Sequence, residues 1–281
     1  MALSDVDPYM LDIGPKGKVM AGMGYTETSS GRSVQVDAIV SAARQVRFVF
    51  VGESHNNPDH HQAQAEIIAA LVKDGRDVSV GFEMFTRDNQ DNLNPFSMGW
   101  WTDEEFVANA DWKKQWGFPY ALYKPIFDVV KENKLPMAAL NVPRDWVRKV
   151  GKEGPSAITA DQKNWVPTLD LSNKTHRDVF NALIGGHPDS GLDNMYAGMV
   201  TWDTGMAKSA LDFMSGSTNP RRIMVVCAGS GHMMYGQGIN WRIKKTTGEK
   251  VVNVTCIDSD APREVSKGLG DFVFVAPPGK E

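Results

Sequence analysis

Apolar and polar positions along the chain mark six short strands. Residues 47–51 form a continuous apolar run after Arg47. In 77–82, Val78, Val80 and Phe82 alternate with Ser79, Gly81 and the following Glu83. Four further apolar segments, 136–140, 222–228, 251–257 and 272–276, complete the set. Helical periodicity occupies 119–133 and 193–214, and a third helix starts at Asn57-Pro58, with asparagine as N-cap and proline at the first helical position. That helix runs to about Lys73, with Gln62, Glu66 and Lys73 on one side and His60, Gln64, Ile67, Ile68 and Leu71 opposite; His61 falls at the edge of the buried half. Strand and helix alternate, which predicts an α/β fold: one domain over 1–281, with a mainly parallel sheet of about six strands flanked by helices in three α/β/α layers.

Two stretches break the alternation. Residues 95–117 carry Trp100, Trp101, Trp112 and Trp116, and 151–191 is polar and contains Pro167 and Pro188. They read as insertions, the second forming with the helix after it a helical region of about 151–215. Thr102-Asp-Glu-Glu105 is a capping-box pattern that places a short helix in the first, and its tryptophans read as a small satellite core rather than a ligand slot. The tail 277–281 is expected to fray.

The chemistry concentrates where strands stop. The first strand runs into Gly52-Glu-Ser-His-Asn-Asn-Pro-Asp-His-His61, which holds half of the six histidines. If the chain stays extended past Gly52, Glu53 and His55 point the same way, because residues two apart share a face. The second strand leads to Glu83, the third to Asn141 and Arg144, and the fourth to Gly229-Ser-Gly-His232, where glycines permit a tight turn beside free amides. A parallel sheet gathers such ends at one edge, so Glu53, His55, Glu83 and His232 are expected in one cleft, with His60 and His61 at its rim. Two imidazoles and two carboxylates support a divalent metal with an open position for water. Without metal, a glutamate-oriented histidine serves as a general base, with Arg144 or the 229–231 amides stabilising an oxyanion. A serine hydrolase is disfavoured, since Ala228-Gly-Ser-Gly-His lacks the Gly-x-Ser-x-Gly spacing.

Composition narrows the field. The 281 residues are 42% hydrophobic and 23% charged with a net charge of -4, and basic residues are scattered, so no nucleic-acid footprint exists. No run reaches the roughly 18 apolar residues of a membrane span. The reading expects no export signal and no lipidation cysteine, because the first twenty residues lack a positive segment followed by an apolar one. Cys227 and Cys256 fall inside apolar strands and read as buried.

Taken in order, Gly52–His61 with Gln64, Phe82-Glu-Met84 with Gln90, Leu140-Asn-Val-Pro-Arg144, Trp202-Asp-Thr-Gly-Met-Ala207 and Ala228–His232 with 235–239 resemble the ChaN family, over about 28–257. The resemblance implies haem-binding, iron-regulated bacterial lipoproteins of the cell envelope or periplasm, in which haem binding is linked to homodimer formation and tyrosine ligates the iron. Tyr235 and Tyr196 are the tyrosines it suggests here, and His55, His60, His61, His232 and Arg144 are the other residues expected to contact haem. Attachment would be non-covalent, since no Cys-x-x-Cys-His occurs. The ChaN family is in turn distantly similar to erythromycin esterases and TIKI/TraB metalloproteases, which keeps a hydrolase at Glu53, His55, Glu83 and His232 as the alternative.

Overall fold

A computed structural model describes residues 6–185 and 191–279; Pro188, Lys280 and Glu281 lie outside the described residues. Its strands are β1 Lys18–Ala21, β2 Gly24–Glu27, β3 Arg32–Ser33, β4 Phe48–Val51, β5 Asp77–Thr86, β6 Met137–Asn141, β7 Arg222–Cys227, β8 Val252–Asp258, β9 Arg263–Ser266 and β10 Phe272–Ala276. Its helices are α1 Val36–Ala42, α2 Pro58–Lys73, α3 Asn94–Ser97, α4 Asp103–Asn109, α5 Trp112–Gln115, α6 Tyr120–Glu132, α7 Arg144–Glu153, α8 Lys174–Ile184, α9 Leu192–Ser215 and α10 Ile239–Thr247.

The central sheet has the order β3-β2-β10-β8-β4-β7-β5-β6. The six strands read from the sequence are its parallel part, β10 to β6. The pattern did not reveal the antiparallel β2 and β3 at one edge, nor the separate β1–β9 pair. In β4, Phe48 and Phe50 pack toward α9 and α10, while Val49 and Val51 pack toward α1, α2 and α6. Both faces of the strand are therefore buried, which explains an unbroken apolar run where a half-exposed strand would alternate.

Topology fixes where a ligand can lie. From β4 the chain crosses through α2 on one face toward β5, and from β7 it crosses through α10 on the other face toward β8. The neighbouring strands β4 and β7 thus send their connections to opposite faces, leaving a crevice beyond their carboxyl ends. Helices α7, α8 and α9 form the far wall of that crevice, with α9 lying along β6 and α7.

Local signals behave as their chemistry requires. Asn57 caps α2 by accepting from the backbone N–H groups of Asp59 and His60, and its Nδ2 donates to Asp258 and to the Pro277 carbonyl. The tail, expected to fray over 277–281, is therefore held at Pro277. Thr102 and Glu105 complete the capping box of α4. The satellite-core expectation is corrected: Trp112 packs in the main core with Phe85 and Phe127, Trp116 lines the crevice, and Trp100 is exposed. Both cysteines are buried and free. No helix of the described residues is long and apolar enough to cross a membrane.

Asn57→Ala should lower the unfolding free energy by about 1–2 kcal/mol, the upper end of a cap deletion, because the side chain also holds the carboxyl-terminal segment. Urea unfolding should show a reduced midpoint at unchanged slope. An unchanged midpoint would mean that the cap carries no net stability here.

Candidate functional site

The site starts where β4 ends. Gly52 continues the ladder by donating to Val254 O at 2.9 Å, and a Cβ on it would stand 2.4 Å from Ser230 Oγ, so only glycine lets the β4 and β7 loops meet. The next residue, Glu53, turns its carboxylate inward with no exposed side-chain surface. Its Oε1 accepts from His55 Nδ1 and from the Tyr123 hydroxyl, both at 2.8 Å, and its Oε2 lies 3.5 Å from His61 Nε2. Trp116 Nε1 in turn donates to the Tyr123 hydroxyl at 2.7 Å. Burial works against charge on Glu53, but the hydrogen bond from His55 and the nearby His61 imidazole override it and hold the carboxyl well below its usual range. Burial likewise opposes charge on His55, yet the bond to Glu53 and the field of Glu83 raise its pKa.

A second buried chain approaches from the other side. In β5, which runs four residues past Phe82, the register against β6 shifts between Phe82 and Thr86, a bulge-like irregularity of the kind that re-aims side chains at sheet ends. Glu83 lies in this stretch. Its Oε2 accepts from Gly229 N at 2.7 Å, and its Oε1 is 3.3 Å from His232 Nε2. The other ring nitrogen, His232 Nδ1, is 2.7 Å from Asp203 Oδ1 on α9. Asp203 Oδ2 then meets His176 Nε2 of α8 at 3.0 Å and the Arg242 guanidinium of α10 at 3.3 Å. Burial disfavours the charged imidazole, but two carboxylates outweigh it and push His232 up to about 10, so at neutral pH it is an imidazolium. For Glu83, burial is overcome chiefly by the charge of His232, and for Asp203 by Arg242 with the bonds from His176 and His232; both carboxyls are lowered.

Over these two chains lies a cavity of about 640 Å³. His55, Glu83, Asn141, Trp116 and Phe118 are at its sheet end, and Phe180, Leu183, Ile184, Met195, Met199 and Trp202 make its apolar wall. Arg144 and Arg148 of α7 line it as well; Arg144 donates to the Trp116 carbonyl, and Arg148 has a weak surface partner in Asp145 at 3.6 Å. The His55 side chain is one-third exposed, and its Nε2 makes no hydrogen bond among the described residues. Gly229 leaves room for the ring: a Cβ there would stand 2.9 Å from His55 Cε1 and 3.4 Å from Nε2.

Glu53, His55, Glu83 and His232 do come together at this edge, but in two separate chains. Several expectations need correction. His60 and His61 are fully buried behind the site rather than at its rim: Ser54 N donates to His60 Nδ1, whose pKa burial lowers, and the His61 ring packs against Tyr123 at a tilt of 36°. Tyr196 is buried between the Asn173 carbonyl and His176 Nδ1, and Tyr235 donates to Pro8 O and accepts from Leu11 N. Neither phenol lines the cavity, and burial raises both pKa values, Tyr196 to about 12. Two of the three expected amides are taken, Gly229 N by Glu83 and Ser230 N by the Glu53 carbonyl. The metal set does not form either. Both nitrogens of His232 face carboxylates, Glu53 is fully buried with its Oε1 taken by His55 and Tyr123, and among the described residues no group of three or more His, Cys, Asp or Glu is placed to hold a metal ion.

Sequence reasoning missed Asp203, His176, Arg242, Tyr123 and Arg148. Asp203 had a signal: an acid in the middle of the apolar stretch from Tyr196 to Met206 can be buried only if something pairs with it.

The paired charges should give stability an optimum in mildly acidic solution. Glu53, Glu83 and Asp203 contribute above the ordinary carboxyl range and lose their contribution as pH falls through their lowered pKa values. His232 contributes fully below 6.5 and loses its share as pH rises toward about 10. Denaturation midpoints should therefore peak between roughly pH 5 and 6.5 and fall on both sides, with a shallower alkaline limb in His232→Asn. Stability that keeps rising to pH 10 would show that the native imidazole is neutral.

Comparison with known proteins agrees with this architecture. A family model described as haem-binding uptake, Tiki superfamily, ChaN matches residues 39–243, well over half of the chain. A solved structure of ChaN from Campylobacter jejuni with cofacial heme binding superposes with a TM-score of 0.68 at 18% identity, covering 90% of this chain and 96% of that one. At that identity the match establishes the fold. Erythromycin esterase EreC in its open conformation (TM-score 0.47, 11% identity, 86% and 77% covered) and the type III effector HopBA1 (0.44, 14%, 86% and 93%) are too distant to carry an inference. No curated protein matches the sequence significantly. The parallel sheet with its crevice beyond β4 and β7, together with the family match across most of the chain, leads to one assignment: the chain belongs to the ChaN family of haem-binding uptake proteins, within the Tiki superfamily.

Proposed function

We propose that this protein binds haem non-covalently in the cavity beyond β4 and β7 and serves bacterial haem uptake or storage. The observation that carries the reading is His55, whose unpartnered Nε2 stands at the end of an apolar slot that also holds two guanidiniums. About 640 Å³ lies within the roughly 300–1,000 Å³ of pockets that hold ligands of this class. The apolar wall of Phe180, Leu183, Ile184, Met195, Met199 and Trp202 suits a flat macrocycle, and Arg144 and Arg148 suit its two carboxylates. Bound haem would supply an iron centre, and His55 Nε2 is the imidazole nitrogen that would hold it. Tyr196 and Tyr235 would first have to give up their buried hydrogen bonds.

Leu183 and Met195, about 40% exposed, are apolar surface that a second copy could cover, which supports a haem-linked homodimer. An uptake role is consistent with a location in the cell envelope or periplasm. The Glu53–His55 pair also supports a second reading, in which His55 is a general base and Arg144 faces an oxyanion.

Ferric haem added to the pure protein should give a saturable shift of the visible bands. His55→Ala should change the axial-ligand spectrum, and the double variant Arg144→Ala, Arg148→Ala should keep that spectrum while weakening binding about ten- to a hundredfold, since charge-assisted hydrogen bonds are worth about 1.5–3 kcal/mol each. A titration matching that of an unrelated acidic protein would sink the proposal, and His55-dependent ester hydrolysis without haem uptake would put the second reading first. Sedimentation at saturating haem should show twice the apo mass; an unchanged mass would exclude the dimer.

A further inference from the structure

Helix α9 lines two cavities. Met195, Gly198, Met199 and Trp202 face the one beyond β4 and β7, whereas Thr204, Ala207, Lys208 and Leu211 face a second of about 580 Å³; among the described residues the two share no lining side chain. Each member of the second set follows one of the first by nine positions, about two and a half turns, so the two sets lie on opposite faces of the helix. The second cavity is bounded by α10 and by the segment 167–172, which Asp170 pins to Lys245 at 2.5 Å. Pro167, Leu169, Leu171, Ala207, Leu211 and Trp241 make its apolar lining.

Arg242 is only partly used by the scaffold. Its side chain is 9% exposed. Nη1 donates to Gly238 O at 2.9 Å and lies 3.3 Å from Asp203 Oδ2, Nε donates to Thr204 Oγ1 at 3.0 Å, and the buried Nη2 has no acceptor among the described residues. Nε and Nη2 share one edge of the planar guanidinium, an edge whose parallel N–H groups match the two oxygens of a carboxylate. Thr204, which meets that edge, lines the cavity together with Arg242, so the unused donor is on the cavity side. Rotation of the Thr204 hydroxyl off Nε opens the whole edge to a bidentate acceptor.

The field in the cavity is positive. Arg242, Lys208 and Lys245 line it against one acid, Asp170, while Asp203 and Asp212, which balance Arg242 and Lys208, do not line it. A single negative charge is met there, whereas a dianion would need lysines already bound to Asp170 and Asp212. We propose that this cavity binds a small organic monocarboxylate with an apolar chain or ring, its carboxylate on the Nε–Nη2 edge of Arg242 and its body against Trp241 and Leu211. The volume lies within the roughly 300–1,000 Å³ of small-molecule sites.

The test titrates apo-protein with decanoate and with 1-naphthoate by calorimetry, with decanol as the uncharged control. Wild type should bind one equivalent of either carboxylate, and decanoate about tenfold more tightly than decanol, the contrast expected of a charge-assisted pair. Arg242→Lys keeps a cation against Asp203 but lacks the forked edge, and should bring decanoate close to decanol. Leu211→Trp fills the cavity from a half-buried wall position and should abolish binding. A decanoate-induced change in tryptophan emission should be lost in Trp241→Phe. No binding of either carboxylate, equal affinity for decanoate and decanol in wild type, an undiminished preference in Arg242→Lys, or full binding in a folded Leu211→Trp would each overturn the inference, the last because the ligand then sits in another cavity. If Leu211→Trp does not fold, an emission change that survives in Trp241→Phe overturns it instead. Haem enters none of these measurements, so the reading of the first cavity stands or falls separately.

Discussion

Three carboxylates, Glu53, Glu83 and Asp203, are buried beneath one cavity, and the rest of the site follows from the need to neutralise them. An unpaired charge in the interior costs several kcal/mol, so each acid must be met by cations or donors brought from elsewhere in the chain. Asp203 is met from α8 and α10 as well as from the β7 loop, and Glu53 from the β4 loop, α2 and α6. The acids therefore join elements that apolar packing alone would leave free to slide. In particular α8, which contributes Phe180, Leu183 and Ile184 to the cavity wall, is tied through His176 to the same aspartate that holds His232.

The two chains divide the histidines into different chemical kinds. His232 has both nitrogens against carboxylates and is committed to a positive charge; it is part of the scaffold. His55 has one nitrogen against a carboxylate and the other without a hydrogen bond among the described residues, next to open space. Residue type therefore does not distinguish a ligand from a strut at this sheet edge. The count of occupied nitrogens does.

That distinction explains what could be read from the sequence. The six parallel strands were legible because burial on both faces forces unbroken or nearly unbroken apolar runs, and the caps at Asn57 and Thr102 were legible because their chemistry is local. β2, β3, β1 and β9 were missed, since short strands at an edge or outside the main sheet need no continuous apolar signature. The convergence of Glu53, His55, Glu83 and His232 followed from topology. Their separation into two chains did not, because it depends on Asp203 and Tyr123, partners 29 and 70 residues away. His60 and His61 show the same limit: periodicity placed them at or near the buried half of α2, but only the fold shows that one accepts from the backbone of Ser54 while the other backs Glu53.

The apolar wall and the polar floor of the cavity also come from different sources, and this shapes what can change independently. The wall residues belong to α8 and α9, outside the parallel sheet, whereas His55, Glu83 and Asn141 are anchored at strand ends. Substitution among Leu183, Ile184, Met195 and Met199 alters volume and shape at a flexible, unbranched or readily repacked surface. Substitution of His55 or Glu83 on the floor removes a member of a buried charge network whose partners lie on α6, α8, α9 and α10. The geometry of His55 is thus protected by the same pairing that keeps the fold together, while the shape of the ligand slot is left free to vary.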